Sequence, residues 1–214
     1  MSKYFAWFGL PGTFVLSVLM SVLAVALAIA RSGKHRFFCA AGMVISTLGD
    51  VFMTRFMDID EIFPNYFVIG AVLFMIAHVM YCVSYRTLIK KKNYRVFNGG
   101  IIAALIIAAA CVVYFSAVCI QRQSLSIFPL AMVYLCAISS SCSMIYSYTW
   151  SEFRCRPMVV FAAIGAVSLF LSDLIIGLDY MAGIDQFNFL IWWLYPIGQI
   201  LIVLSAEPGK KQTA

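Results

Sequence analysis

The sequence predicts an all-α membrane protein, a polytopic bundle of about seven transmembrane helices in a single domain spanning residues 1–214. Hydrophobic residues make up 64% of the chain and charged residues only 11%, whereas a soluble domain carries about a quarter charged residues. The apolar residues also form runs of about twenty, the length that a helix needs to cross a hydrocarbon core of about 30 Å. A transmembrane β-barrel would need alternating segments of about ten residues, and the sequence has none.

Seven apolar runs, separated by short polar connections, account for the predicted spans. They cover residues 5–30, 37–54, 66–86, 97–119, 127–149, 157–178 and 188–206. Because the connections are short, any chemistry must be done by side chains within the spans or at their ends.

The basic residues predict the orientation of the bundle. Loops 31–36, 86–95 and 150–156 and the C-terminal tail hold twelve of the 15 Lys and Arg residues. The positive-inside rule places that side in the cytoplasm, so the N-terminus is predicted to lie outside. The basic run at 90–95 is best explained as an anchor near anionic headgroups, and no nucleic-acid partner is expected.

Two acidic residues, Asp50 and Asp173, interrupt apolar runs. An ionisable side chain at membrane depth costs about 2.5–3.5 kcal/mol or more, so it normally faces the interior of a bundle or a wet cavity. At a helical rise of 1.5 Å per residue, they lie about 20 and 24 Å from the cytoplasmic ends of their spans. The two carboxyl groups are therefore predicted to meet at one depth.

Other polar residues reach the same depth. The third span carries His78 and Tyr81 and the seventh carries Tyr195 and Gln199, each pair at helical spacing on one face. Ser and Gly residues share these faces, where they are most often packing or hydrogen-bonding residues. A purely structural alternative pairs Asp50 with Arg55 at a helix end.

Two carboxyl groups in one poorly solvated pocket predict acid–base chemistry. Such a pair titrates as a unit and can hold one proton between its members. One group then acts as general acid and the other as general base. The pattern does not name a substrate.

Four short motifs resemble the YhhN family of integral-membrane lysoplasmalogenases. They are Gly49–Asp50, the "AH..Y" that ends at Tyr81, Ser172–Asp173, and the "Y..GQ" that ends at Gln199. The resemblance implies hydrolysis of the vinyl ether bond of a lysoplasmalogen, which yields a fatty aldehyde and glycerophosphoethanolamine or glycerophosphocholine. Family members usually have eight spans and a Lys-Pro-Leu-like segment, and this chain lacks both features.

On this interpretation Asp50 and Asp173 are the catalytic acid and base, in an order that the sequence leaves open. The other predicted site residues orient water or bind the lysophospholipid. They are His78, Tyr81, Tyr195 and Gln199 in the membrane, and Arg55, Asn65 and Asn188 as headgroup donors at the outer mouth.

No cofactor and no metal are expected, since a lone intramembrane histidine makes a zinc site improbable. The predicted location is the cell membrane, with the lipid bilayer as partner. Two alternatives stay open. A proton-coupled transporter also uses carboxylates in mid-membrane, and a non-catalytic lipid-binding protein would bind lipid without changing it.

Overall fold

The computed structural model describes residues 6–7, 10–89, 128–152 and 159–205, with isolated helical positions between 102 and 117. A two-residue antiparallel pair, β1 (Ala6–Trp7) and β2 (Leu10–Pro11), leads into the first helix. The helices that follow are α1 (Gly12–Ala30), α2 (Lys34–Met53), α3 (Ile59–Ile62), α4 (Tyr66–Leu88), α5 (Phe128–Glu152), α6 (Val160–Gly177) and α7 (Asn188–Ser205). A 3-10 turn at Phe56–Asp58 precedes α3, and a π turn at Leu178–Ala182 extends α6.

The predicted helical membrane bundle is confirmed. Helices α2, α4, α5, α6 and α7 are long and apolar enough to cross a membrane, and α1 has a shorter apolar stretch at Phe14–Ala30. The first predicted span starts too early, because the paired strands and Pro11 precede the first helical turn. The span predicted at 97–119 lies outside the described residues, apart from the isolated helical positions. The orientation stays a prediction.

The helices pack as two close pairs that a fifth helix joins. Helix α2 runs along α4, and α6 runs along α7. Helix α5 packs against both α4 and α6, while α1 lies on α2 and touches α7. This arrangement brings α2, α4, α5, α6 and α7 around one interior, so residues far apart in sequence can meet there.

Glycines set the closest approach between α6 and α7. A Cβ atom on Gly198 would lie 2.7 Å from Leu169 Cγ and 3.0 Å from the Gly165 carbonyl oxygen. A Cβ atom on Gly165 would lie 2.9 Å from the Gly198 carbonyl oxygen. The two backbones therefore touch directly, as small residues permit between membrane helices.

Burial follows the pattern expected of a protein surrounded by lipid. Large apolar side chains such as Leu19, Leu48, Val79 and Trp193 are exposed, whereas Asp50, Asp173, His78 and Gln199 are buried. Hydrogen bonds also hold helices together: Ser17 and Ser21 of α1 lie 2.8 and 2.7 Å from the Thr47 hydroxyl of α2.

Candidate functional site

A chain of side-chain hydrogen bonds ends at Asp50. The Tyr195 hydroxyl donates to Asp50 Oδ2 at 2.7 Å and lies 2.8 Å from the Ser46 hydroxyl. Gln199 Nε2 donates to Ser46 Oγ at 3.0 Å, and the Tyr81 hydroxyl donates to Gln199 Oε1 at 2.8 Å. We call these five residues of α2, α4 and α7 the Asp50 chain.

The donors of the Asp50 chain run in one direction. A tyrosine hydroxyl has a single hydrogen, and that of Tyr195 is given to Asp50. Ser46 must therefore donate to Tyr195 while it accepts from Gln199. Every hydrogen in the chain points towards the Asp50 carboxyl, so Asp50 is held as an acceptor by residues of a different helix.

Gly42 makes room for the start of this chain. A Cβ atom at Gly42 would lie 2.8 Å from Tyr81 Cε1, so the Tyr81 ring lies flush against α2. From that position its hydroxyl reaches Gln199 on α7. The glycine of α2 thus allows α4 to bond to α7 across the bundle.

A second cluster surrounds Asp173. The Tyr134 hydroxyl donates to Asp173 Oδ2 at 2.7 Å, and His78 Nε2 lies 3.0 Å from the same oxygen. His78 Nδ1 lies 3.0 Å from the Ser141 hydroxyl, which is also 2.9 Å from the Ile138 carbonyl oxygen. We call Asp173, His78, Tyr134 and Ser141 the Asp173 cluster; it draws on α4, α5 and α6.

The two assemblies are neighbours without a shared hydrogen bond. In the described part of the chain no hydrogen bond joins the carboxyl groups of Asp50 and Asp173. The His78 and Tyr81 rings lie edge to face, with centroids 6.2 Å apart. The six intramembrane residues predicted for the site do come together, but each carboxyl group has its own hydrogen-bond partners.

An apolar groove opens beside the Asp173 cluster. It is narrow, with a cavity volume of about 60 Å³, well below the roughly 300–1,000 Å³ of sites that enclose a small molecule. The wall consists of Met53, Phe67, Ala71, Phe74, Leu130, Ala131, Tyr134, Leu135, Asp173, Leu174, Ile176, Gly177 and Tyr180. Asp173 is the acidic member of this wall. Asp50 lies behind it, since Phe74 in the wall is edge-on to Tyr195 at 6.1 Å.

The three predicted headgroup donors are not among the residues that line the groove. Arg55 has its guanidinium 4.8 Å from the Tyr66 ring centroid and 3.7 Å from Asp60 Oδ2. It therefore does not brace Asp50. Asn65 is exposed, and Asn188 Nδ2 donates to Asp179 Oδ2 at 2.7 Å. Next to Asp179, Tyr180 reaches the groove and stacks on Phe67 at 3.5 Å.

Two members of the Asp173 cluster, Tyr134 and Ser141, are not among the site residues predicted from the sequence. They are seven residues apart on α5, a spacing that puts both on one helix face. Their polar groups and this spacing were the only sequence features that could have predicted them. Nothing in the pattern shows that α5 turns this face towards His78. Among the described residues, no three His, Cys, Asp or Glu side chains are grouped to hold a metal ion.

Fold and site together define a helical membrane protein with two buried carboxyl groups, one of which lines an apolar groove. The chain belongs to the YhhN family, whose sequence model matches residues 12–206, nearly the whole chain. No protein of described function and no solved structure shows significant similarity to it.

Proposed function

We propose that this protein is a lipid hydrolase of the cell membrane that cleaves the vinyl ether bond of lysoplasmalogens. The products are a fatty aldehyde and glycerophosphoethanolamine or glycerophosphocholine. The observation that carries the proposal is the buried Asp173 carboxyl in the wall of an apolar groove. Membership in the YhhN family supports it.

The groove suits one long apolar chain. Its walls are almost entirely aliphatic and aromatic side chains from α4, α5 and α6, against which the alkenyl chain of a lysolipid can lie. Burial of apolar surface is worth about 25 cal/mol per Å² in water, and the gain is smaller for a chain that comes from lipid. The groove therefore contributes orientation more than affinity, and holds the ether carbons near Asp173.

The chemistry needs a proton and a stabilised cation. A proton added to the outer alkene carbon leaves an oxocarbenium ion; water then adds, and the hemiacetal collapses to an aldehyde and an alcohol. Asp173, at the groove, and Asp50, behind it, share the acid–base work. Because charge acts strongly in a poorly solvated interior, the Asp50 carboxyl can stabilise the cation without touching it.

The outer loops complete the proposed lysophospholipid site. Tyr180, Asp179 and Asn188 lie where α6 ends and α7 begins, next to the end of the groove. Arg55 and Asn65 lie near the beginning of α4. In the predicted orientation these residues face outside, so headgroup and water enter from the outer side.

The decisive experiment is to incubate the purified protein with a panel of lysolipids and to identify the products by mass spectrometry. Release of a fatty aldehyde from lysoplasmalogen, and none from the matched 1-alkyl ether lipid, is the expected result. Lipid that binds and is recovered unchanged would identify a lipid-binding protein. Solute uptake by proteoliposomes without aldehyde release would identify a transporter.

A further inference from the structure

The Asp173 cluster contains a hydroxyl with two neighbours that compete for one hydrogen. Ser141 Oγ lies 3.0 Å from His78 Nδ1 and 2.9 Å from the Ile138 carbonyl oxygen. The carbonyl can only accept, whereas the imidazole nitrogen can donate or accept. The Ser141 hydrogen can therefore go to either neighbour, and the choice decides the state of His78.

Each choice corresponds to a different number of protons in the cluster. If Ser141 donates to His78 Nδ1, the ring is neutral and its hydrogen is on Nε2, directed at Asp173 Oδ2. If Ser141 donates to Ile138, Nδ1 carries a hydrogen that Ser141 accepts. One further proton then lies between Nε2 and Oδ2, on the ring or on the carboxyl. The cluster can thus take up a proton through rotation of one hydroxyl hydrogen, with no movement of heavier atoms.

The surroundings separate the His78–Asp173 pair from solvent. His78 and Ser141 are 3% exposed. The groups that face the pair are Tyr134 of α5, Tyr81 of α4 and, at longer range, Asp50 of α2. Among them only Asp50 can carry a negative charge near neutral pH.

We propose that His78 and Asp173 form the proton-holding pair of this site, with His78 supplying, through the Asp173 carboxyl, the proton that the first step adds to the alkene. This deepens the proposed function and rests on it. His78 is then a positioning and proton-storing residue, and not a residue that binds substrate. The proton would therefore be held by His78 and Asp173, and not between the two aspartates.

The proton balance closes over one turnover. The pair gives its proton to the outer alkene carbon, and a new carbon–hydrogen bond forms as the double bond is lost. Water adds to the oxocarbenium carbon and releases one proton, which returns to the pair. Collapse of the hemiacetal moves a proton from its hydroxyl group to the leaving oxygen, so the protein ends in its starting state.

The first test replaces the ring but keeps its hydrogen bond. In His78→Gln the side-chain amide can still donate to Asp173 but cannot carry a proton. We expect kcat to fall more than tenfold, within the about 10²–10⁴-fold typical of acid–base groups, with KM changed less than twofold. A loss smaller than tenfold would show that His78 only orients Asp173 and would overturn the proposal. The matched control is His35→Gln, which changes the other histidine of the chain.

The second test needs no activity. The chain has two histidines, so the ¹⁵N NMR spectrum of histidine-labelled protein is simple, and His78→Gln identifies the His78 signals. We expect two ring states that interconvert as pH changes, and a changed ratio in Ser141→Ala but not in Ser143→Ala. A single state at every pH that the protein tolerates would overturn the proposal. If the wild-type protein releases no aldehyde, the proposed function is wrong. The NMR spectra still show whether the His78–Asp173 pair takes up a proton.

Discussion

The Asp50 chain and the Asp173 cluster accommodate a buried carboxyl group in different ways. The Asp50 chain orders five side chains from three helices so that every hydrogen points at the carboxyl. The Asp173 cluster uses fewer residues, includes an imidazole, and lines an open groove. On the proposed mechanism, this difference corresponds to a fixed electrostatic partner in one region and a group that exchanges protons with substrate in the other.

Asp173→Asn is the substitution that tests this comparison most directly, and we expect it to have the largest effect on activity. The amide keeps the shape of the side chain but can neither accept nor release a proton, so we expect aldehyde release to fall more than about 100-fold. Asp58→Asn, at an exposed position of the 3-10 turn, is the control and should keep most activity. An Asp173→Asn protein that retains a tenth of wild-type turnover would remove the groove carboxyl from the mechanism.

Asp50→Asn should have the second largest effect. The loss of a charge that stabilises the cation costs about 10²-fold in kcat, as for other preorganised electrostatic groups. Tyr195→Phe removes the donor to Asp50 and the acceptor of the Ser46 hydroxyl but keeps the carboxyl group, so it should cost less, about tenfold. A Tyr195→Phe effect larger than that of Asp50→Asn would show that the chain acts through Tyr195 itself. Folding of both variants is checked by thermal melting in detergent.

Gly198→Ala tests the scaffold that carries both regions. The new methyl group would clash with Leu169 and with the Gly165 backbone, so α6 and α7 must separate. Overpacking of this kind typically costs about 1–3 kcal/mol, and we expect a lower Tm together with a lower kcat. Gly70→Ala is the matched control, since a Cβ atom there meets mainly the flexible Met53 side chain, at 3.1 Å. Equal Tm losses in the two variants would contradict a special role for the α6–α7 contact.

The smallest expected effect is at the outer rim. Asn65→Ala or Arg55→Ala should raise KM a few-fold and change kcat less, because contacts remote from the reacting bond act as uniform binding. Lys34→Ala, at the opposite end of α2, should leave both parameters unchanged. If instead Lys34→Ala raises KM and the rim variants do not, the headgroup enters from the cytoplasmic side.

The elements of the fold were largely predictable. Long apolar runs must become helices in lipid, because every backbone polar group there has to be satisfied within its own segment. Helices α2, α4, α5, α6 and α7 therefore lie close to the predicted spans. The paired strands before Gly12 were not predicted, since segments of two residues carry no usable periodicity.

The sequence predicted those members of the candidate site that are most costly to place in a membrane. Asp50, Asp173, His78 and Gln199 are costly in a membrane, so their presence alone showed that they face inwards. Placing Ser141 or Tyr134 in a membrane costs little free energy, so their presence in a span did not by itself indicate that they face inwards. The positions predicted for Arg55, Asn65 and Asn188 depended on loop conformation, for which hydropathy carries no information.

The sequence by itself determined that this chain is a membrane bundle and that its polar side chains meet inside it, because the cost of polar groups in lipid leaves no other arrangement. Only the tertiary structure decided which side chains are partners. Rotation of α5 by half a turn would send Tyr134 and Ser141 to lipid and leave His78 without its second contact. That rotation depends on the packing of α5 between α4 and α6, which involves residues distant in sequence and no local pattern.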